Sequence, residues 1–313
     1  MKIGDHSLEQ LDGQLREAGL CWRTGPFILR LKADIPQLTP WLHTMYGEHP
    51  VVTEPEIIDF HLQMRRGRGL RRWWRPQVHF LLDGNILFAP FPLDHAPPLF
   101  EWGLNLCIAG RANHFLLLHT AVVAKGGRAM LLSGVPGSGK STLCAALVVK
   151  GWRLLSDEFS LVHPDNGMVY PLARPAALKN QSIDLIRNLT TENLIGPAFP
   201  NTRKGTVAHL KPPAASVQAH EQPAQPAWVI CPQYRPDRPA HLTPLAPDHA
   251  LLRLGANAFN YETRGASGFH AIAALVNRCS VHHFFHDNLE EAVVALESLS
   301  TRDIQPSPSE TSS

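Results

Sequence analysis

Short apolar runs and stretches of alternating apolar and polar residues recur along the chain, broken by Gly, Pro, Asn and Asp, and they predict strands interleaved with short helices. Phe27 to Leu31 reads as a strand and Pro36 to Met45 as a helix with Pro near its start. Partial alternation over Glu56 to Met64 predicts a further strand. Val78 to Leu82 and Ile86 to Phe88 flank Asp83-Gly84-Asn85, a hairpin turn. Leu93 to Ala112 reads as a helix with Leu99, Trp102, Leu106 and Ile108 near one face. Phe115 to Val123 and Ala129 to Ser133 predict two strands joined by the tight turn Lys125-Gly126-Gly127-Arg128. An apolar helix over Thr142 to Lys150 is ended by Gly151, and the strand Arg153 to Ser156 follows it.

Beyond that point the pattern loosens. Leu161 to His163 and Met168 to Tyr170 form a hairpin around Asp165-Asn166-Gly167, and Ser182 to Asn188 is helical. Pro200 to Leu210 reads as a long loop, and Lys211 to Ala227 as a flexible, proline-rich excursion. A strand resumes at Trp228 to Cys231. Helices at Asp248 to Leu254 and Gly268 to Asn277, a strand at Val281 to Phe285 and a helix at Leu289 to Leu299 complete the pattern. The Ser-, Pro- and Thr-rich residues 301–313 predict a disordered tail. Organisation is therefore expected as an α/β domain over 1–112, an α/β domain over 113–300, and the tail.

Composition narrows the class. The 313 residues are 44% hydrophobic, enough for a sizeable core, and a formal net charge of only +2 gives no whole-molecule field for nucleic acid. Cys21, Cys107, Cys144, Cys231 and Cys279 lie far apart, which speaks against both a zinc site and a disulfide framework. No apolar run is long enough to span a membrane and the N-terminus lacks a signal-peptide pattern, so a cytoplasmic location is expected. Arg65, Arg66, Arg68, Arg71, Arg72 and Arg75 with Trp73 and Trp74 form a basic loop, either a grip for a polyanion or a solvated hairpin. His282 and His283 fall on opposite faces of one strand, so with His286 they do not predict a metal cluster.

Candidate chemistry concentrates between the predicted strand at 129–133 and the helix after it. Gly134-Val135-Pro136-Gly137-Ser138-Gly139-Lys140-Ser141-Thr142 matches Gly-x-x-x-x-Gly-Lys-Ser, the Walker A pattern, in strand–turn–helix context. Glycines there let backbone N–H groups wrap phosphate oxygens at a helix start. Lys140 would reach the β and γ phosphates of ATP, and Ser141 would offer its hydroxyl to Mg²⁺. One helix later, Asp157 and Glu158 end a strand. A pair of carboxylates there can hold a metal and deprotonate an attacking hydroxyl. His119, inside a predicted strand, is by default a core histidine, and Lys179 a surface lysine. Arg203 and Lys204 with Gly205 in the long loop are what a phosphate-covering lid would use.

The series Leu118-His119-Thr120, hairpin, Gly134 to Thr142, one helix, and Arg153 to Glu158 resembles the catalytic domain of HPr kinase/phosphorylase, and within it the branch called HprK-related kinase A. The resemblance implies a P-loop core of the HPr kinase and phosphoenolpyruvate carboxykinase type, with Asp157 as general base, Glu158 and Ser141 serving Mg²⁺, and His119 beside the transferred phosphate. It implies transfer of the γ-phosphoryl group of ATP to a hydroxyl, with serine of a protein as acceptor. This chain has Asp157-Glu158 where those kinases have two aspartates, and Thr120 where their His is followed by Gly; residues 1–112 do not resemble their N-terminal domain. A nucleotide-sensing regulator without a kinase substrate and a kinase of a small-molecule hydroxyl remain the alternatives. The oligomeric state, including a homo-oligomer, is left open.

Overall fold

The computed structural model describes residues 1–67, 69 and 74–302. It is a mixed α/β fold, with ten helices and four sheets among the described residues. Arg68, Arg71, Arg72 and Trp73 of the basic loop, and 303–313 of the tail, lie outside the described residues. No described helix is long and apolar enough to cross a membrane.

The first sheet follows the N-terminal pattern closely. Strands β1 (Leu20–Thr24), β2 (Phe27–Ala33), β3 (Phe60–Arg66), β4 (Gln77–Leu82) and β5 (Asn85–Ile86) lie in that order, and β6 (Phe91–Pro92) pairs with β4. Strict alternation along β2 and β3 buries Phe27, Leu29, Leu31, Phe60, Leu62 and Met64 on one face. Helices α1 (Leu8–Arg16), α2 (Leu38–Met45) and α3 (Ala96–Arg111) contribute to the same core. On α3 the buried face runs through Leu99, Phe100, Gly103, Leu104, Cys107 and Ile108; Leu106, expected on that face, is 47% exposed. This core takes in Phe115, Leu117, Phe159, Leu161 and Leu172, so apolar packing crosses the expected boundary at 112.

The second sheet positions the candidate site. Its order is β10 (Arg153–Ser156), β8 (Thr120–Lys125), β9 (Arg128–Ser133), β16 (Gln225–Tyr234), β18 (Ser280–His286) and β17 (His241–Pro244). β9, β16 and β18 run parallel, so their carboxyl ends meet at one edge, the usual place for a ligand crevice in an α/β sheet. β16 is buried along nearly its whole length because both faces are covered. One face packs on α4 (Lys140–Val149), α5 (Gln181–Leu189) and α10 (Leu289–Arg302), the other on α7 (Pro247–Ala256) and α9 (Ala266–Arg278). A short helix α8 (Tyr261–Arg264) precedes α9.

Two small sheets complete the fold: β7 (Leu116–Leu118), β11 (Ser160–Val162) and β12 (Val169–Tyr170); and β13 (Ala176–Lys179), β15 (Gly205–Leu210) and β14 (Phe199–Thr202). The structure corrects three expectations. The strand expected over 115–123 breaks at His119, where the chain leaves the β7 sheet for the β8 sheet. The long loop at 200–210 is the β14–β15 hairpin, held by backbone pairing with β13 that no side-chain pattern reveals. The expected excursion over 211–227 contains helix α6 (Ala214–Gln218), whose Ser216 hydroxyl accepts the Leu154 N–H at 2.9 Å, and it ends in β16. All five cysteines are free thiols.

Candidate functional site

The glycine-rich turn leaves the carboxyl end of β9 and enters α4, so residues 134–142 are contiguous at the parallel edge of the sheet. Gly137 and Gly139 adopt φ of 84° and 95°, the left-handed region where a side chain is strained. Nothing lies within 4 Å of where a Cβ on Gly137 would project. Gly139 also occupies the cap position of α4, and with no side chain there the first-turn N–H groups face the turn uncapped. That arrangement suits an anion. Lys140 is 7% exposed and donates to the carbonyls of Gly134 at 2.6 Å and Val135 at 3.2 Å. Burial lowers its pKa, against the pull of Glu158 and Asp157. The Ser138 hydroxyl is buried without a hydrogen-bond partner among the described residues.

The acidic pair follows β10 directly. The Ser156 hydroxyl accepts the N–H groups of Glu158 at 3.4 Å and Phe159 at 3.1 Å, a tight turn that fixes both carboxylates. Asp157 Oδ2 accepts the Ala177 N–H at 2.8 Å. The residue keeps some exposure, yet Oδ1 is fully buried and has no partner among the described residues. Burial, with the Glu158 charge next in weight, pushes the Asp157 carboxyl up to about 6, against the Ala177 N–H, the Ser141 hydroxyl and Lys179. Burial also works to raise Glu158, but the hydrogen bond and charge of His119, with Lys204 and Lys179, bring it below its ordinary value.

His119 sits at the sheet-to-sheet switch with Nε2 at 3.5 Å from Glu158 Oε1. Its backbone N–H donates to Asn257 at 2.7 Å and its ring lies 5.5 Å from that of Phe259. Asn260, 3% exposed, bonds the backbone at both Phe115 and Leu117 and so fixes the strand leading to His119. The two basic residues of the hairpin separate. Lys204 lines the cleft beside the acidic pair, with its ammonium 5.3 Å from the Trp102 ring centroid. Arg203 instead stacks 4.9 Å over Phe91 of the first sheet. Burial, then Lys179, lowers the Lys204 pKa, and Glu158 opposes them. Lys179 lines the same cleft.

Sequence patterns therefore locate the turn, the acidic pair and His119, and the fold draws these together. They give no sign of Ala177, which acts through its backbone, or of Arg174 and Glu101, buried at 6% and 4% exposure with Nη1 and Oε2 3.4 Å apart. Burial raises Glu101, with Arg174 and Tyr46 opposing; burial, then the Glu101 charge, puts Tyr46 well above its ordinary value.

Chemically, the site offers an uncapped helix start for an anion, hard oxygen donors at Ser141, Asp157 and Glu158, and a buried carboxylate able to take a proton at neutral pH. No cluster of three or more His, Cys, Asp or Glu among the described residues could hold a metal. Mg²⁺ needs fewer, since it is held by one or two carboxylates together with substrate phosphates, and the donor set fits that pattern. His282, His283 and His286 form no such cluster. Compared with known protein families and with curated proteins, the chain matches none.

Proposed function

We propose that the chain is an ATP- and Mg²⁺-dependent phosphotransferase built on a P-loop core of the HPr kinase and phosphoenolpyruvate carboxykinase type. It passes the γ-phosphoryl group to a hydroxyl, and the HPr kinase resemblance makes serine of a protein the first acceptor to test. The observation that carries this reading is that β10 and β9 both pair antiparallel with β8, so the acidic pair and the glycine-rich turn leave the same edge of the sheet across the one helix that separates them. A base beside a glycine-rich turn is what transfer to a hydroxyl requires.

The turn amides and the uncapped start of α4 take the phosphate oxygens, and Lys140 exchanges its carbonyl partners for the β and γ phosphates. Asp157 Oδ1 accepts the proton of the acceptor hydroxyl as the new O–P bond forms and the bond from γ-phosphorus to the β-bridging oxygen breaks, releasing ADP. A carboxyl held near 6 is ionised at neutral pH and more basic than an ordinary aspartate. Ser141 and Glu158 would hold Mg²⁺, which when bound neutralises charge on the phosphates. His119 holds Glu158 in place.

Incubating the purified protein with terminally labelled ATP and a lysate tests this reading. Label on an acceptor with the wild type, and none with Lys140→Ala or Asp157→Asn, is expected. ATP binding with no labelled acceptor and unchanged turnover in Asp157→Asn refutes it in favour of a nucleotide sensor.

A further inference from the structure

The cleft beside the acidic pair has only about 20 Å³ of room, space for about one water. It admits the tip of a side chain, so a molecule that brings a hydroxyl there is recognised by a surface outside the cleft. Positive charge is concentrated in the first sheet. Of the 29 Lys and Arg in the chain, six arginines lie between Asp59 and Asp83 with no Asp or Glu among them. The other 23, 29 less these six, are set against all 27 acidic residues. Arg65, Arg66 and Arg75 of the six are among the described residues.

A groove with about 480 Å³ of room opens at the carboxyl ends of the parallel strands β2 and β3. Arg16, Lys32, Asp34, Gln63, Arg65 and Arg66 line it, four cations against one carboxylate. Asp34 already faces Arg16 at 3.7 Å, and Arg16 also pairs with Asp12 at 2.9 Å. Arg65 donates to Gln63 Oε1 and Arg66 Nε to the Asp34 carbonyl at 3.1 Å, but neither they nor Lys32 pair with a carboxylate among the described residues. Beside them Trp74 is 80% exposed, with the Arg75 guanidinium 5.9 Å from its ring centroid. Trp and Arg are the side chains on which protein–protein binding energy concentrates. The same end of the sheet leads to the cleft. The Gly67 N–H donates to Gln77 at 2.8 Å and the Leu93 N–H to Pro76 at 2.9 Å, joining β3 to β4 and β4 to β6. Phe91 of β6 carries Arg203, and the next residue, Lys204, lines the cleft.

We propose that this groove docks an acidic segment, rich in Asp and Glu, of the protein that accepts the phosphoryl group, and so brings its serine to the mouth of the cleft. Arginine forks pair with carboxylates through two parallel hydrogen bonds, and the groove supplies cations that the fold leaves without carboxylate partners. A nucleic acid fits less well, because a strand longer than the groove would run onto a body in which acidic residues outnumber basic ones. The acceptor role rests on the phosphotransferase reading; the binding of an acidic segment does not.

Fluorescein-labelled hexaglutamate is a suitable probe of the full chain, read by fluorescence anisotropy, with labelled hexaglutamine as the uncharged control. A short oligothymidylate and vesicles containing phosphatidylserine test the other polyanions. Hexaglutamate binds the wild type about tenfold or more tightly than hexaglutamine, and its affinity falls as salt rises. Lys32→Gln combined with Arg65→Gln weakens it by about tenfold, the loss of two exposed ion pairs. Both side chains are exposed and neither pairs with a carboxylate among the described residues, so the double variant keeps the wild-type unfolding midpoint and its loss of binding is not unfolding. In the lysate assay the double variant labels the acceptor less by a similar factor. Hexaglutamate that binds no better than hexaglutamine, or equally well to the double variant, overturns the groove. Oligothymidylate or vesicles that bind more tightly than hexaglutamate, and are lost in the double variant, assign it to nucleic acid or membrane and also overturn it. Undiminished label on the acceptor with the double variant overturns the acceptor role. Hexaglutamate binding as expected in a protein that labels nothing refutes the phosphotransferase reading and the acceptor role with it, while the docking of an acidic segment stands.

Discussion

Asp157→Asn separates the cost of burying this carboxylate from the use proposed for it. Burial and the Glu158 charge raise this carboxyl from an ordinary 3.8 to about 6. The folded state therefore binds its proton more tightly than the unfolded state. The stability this provides is full below about 3.8, declines as pH rises through about 6, and is gone at higher pH. A shift of that size corresponds to about 3 kcal/mol at 1.36 kcal/mol per unit. Asparagine does not titrate, and its side-chain carbonyl can still accept the Ala177 N–H. Relative to the wild type, the variant gains on the order of 3 kcal/mol between pH 4 and pH 7.5, or roughly 5 °C in unfolding midpoint for a chain of this size. Parallel urea and thermal denaturation of the two proteins across that range measures the difference, in which the groups that do not interact with Asp157 cancel. Phosphoryl transfer falls in the same variant while ATP binding persists, the trade between stability and activity expected of a buried base. A pH-independent difference, or a wild type that gains on the variant as pH rises, refutes the account of Asp157.

Three further outcomes are expected. Lys140→Ala abolishes ATP binding measured by calorimetry, because the cation at the phosphates is lost; retained binding removes the phosphate-site assignment. His119→Ala removes the partner that holds Glu158 below its ordinary value, so the Glu158 carboxyl, followed by NMR, titrates at higher pH than in the wild type; an unmoved titration refutes the pairing. Gly103→Ala puts a Cβ 2.5 Å from the ring of Phe80, which is fully buried and cannot swing away, and costs about 1–3 kcal/mol in urea denaturation; a neutral result shows that α3 can slide on the first sheet.

Local chemistry in the sequence determined a good part of this protein. The turn at 134–142 is legible because Gly137 and Gly139 are required by backbone conformation, and Lys140 follows them at a fixed offset. The hairpins at 83–85, 125–128 and 165–167 are legible for the same reason: their turn residues carry conformations few others adopt. The amphipathic periods of α9 and α10, and the Val281, Phe284 and Phe285 of β18, mark those elements without reference to any partner.

Only tertiary structure decided what depends on pairing between distant segments. The 200–210 stretch becomes a hairpin because β13 offers it an edge, and its two cations are sent to different places by Trp102 and Phe91. His119 interrupts its strand because β7 and β8 join different sheets. Arg174, His209 and the Ala177 N–H reach Asp157 or its cleft through long-range packing of side chains and backbone with no pattern of their own. Short-range rules govern where the chain can turn and coil, whereas burial, and with it the raised pKa of Asp157, is set by whatever the whole fold places around a group.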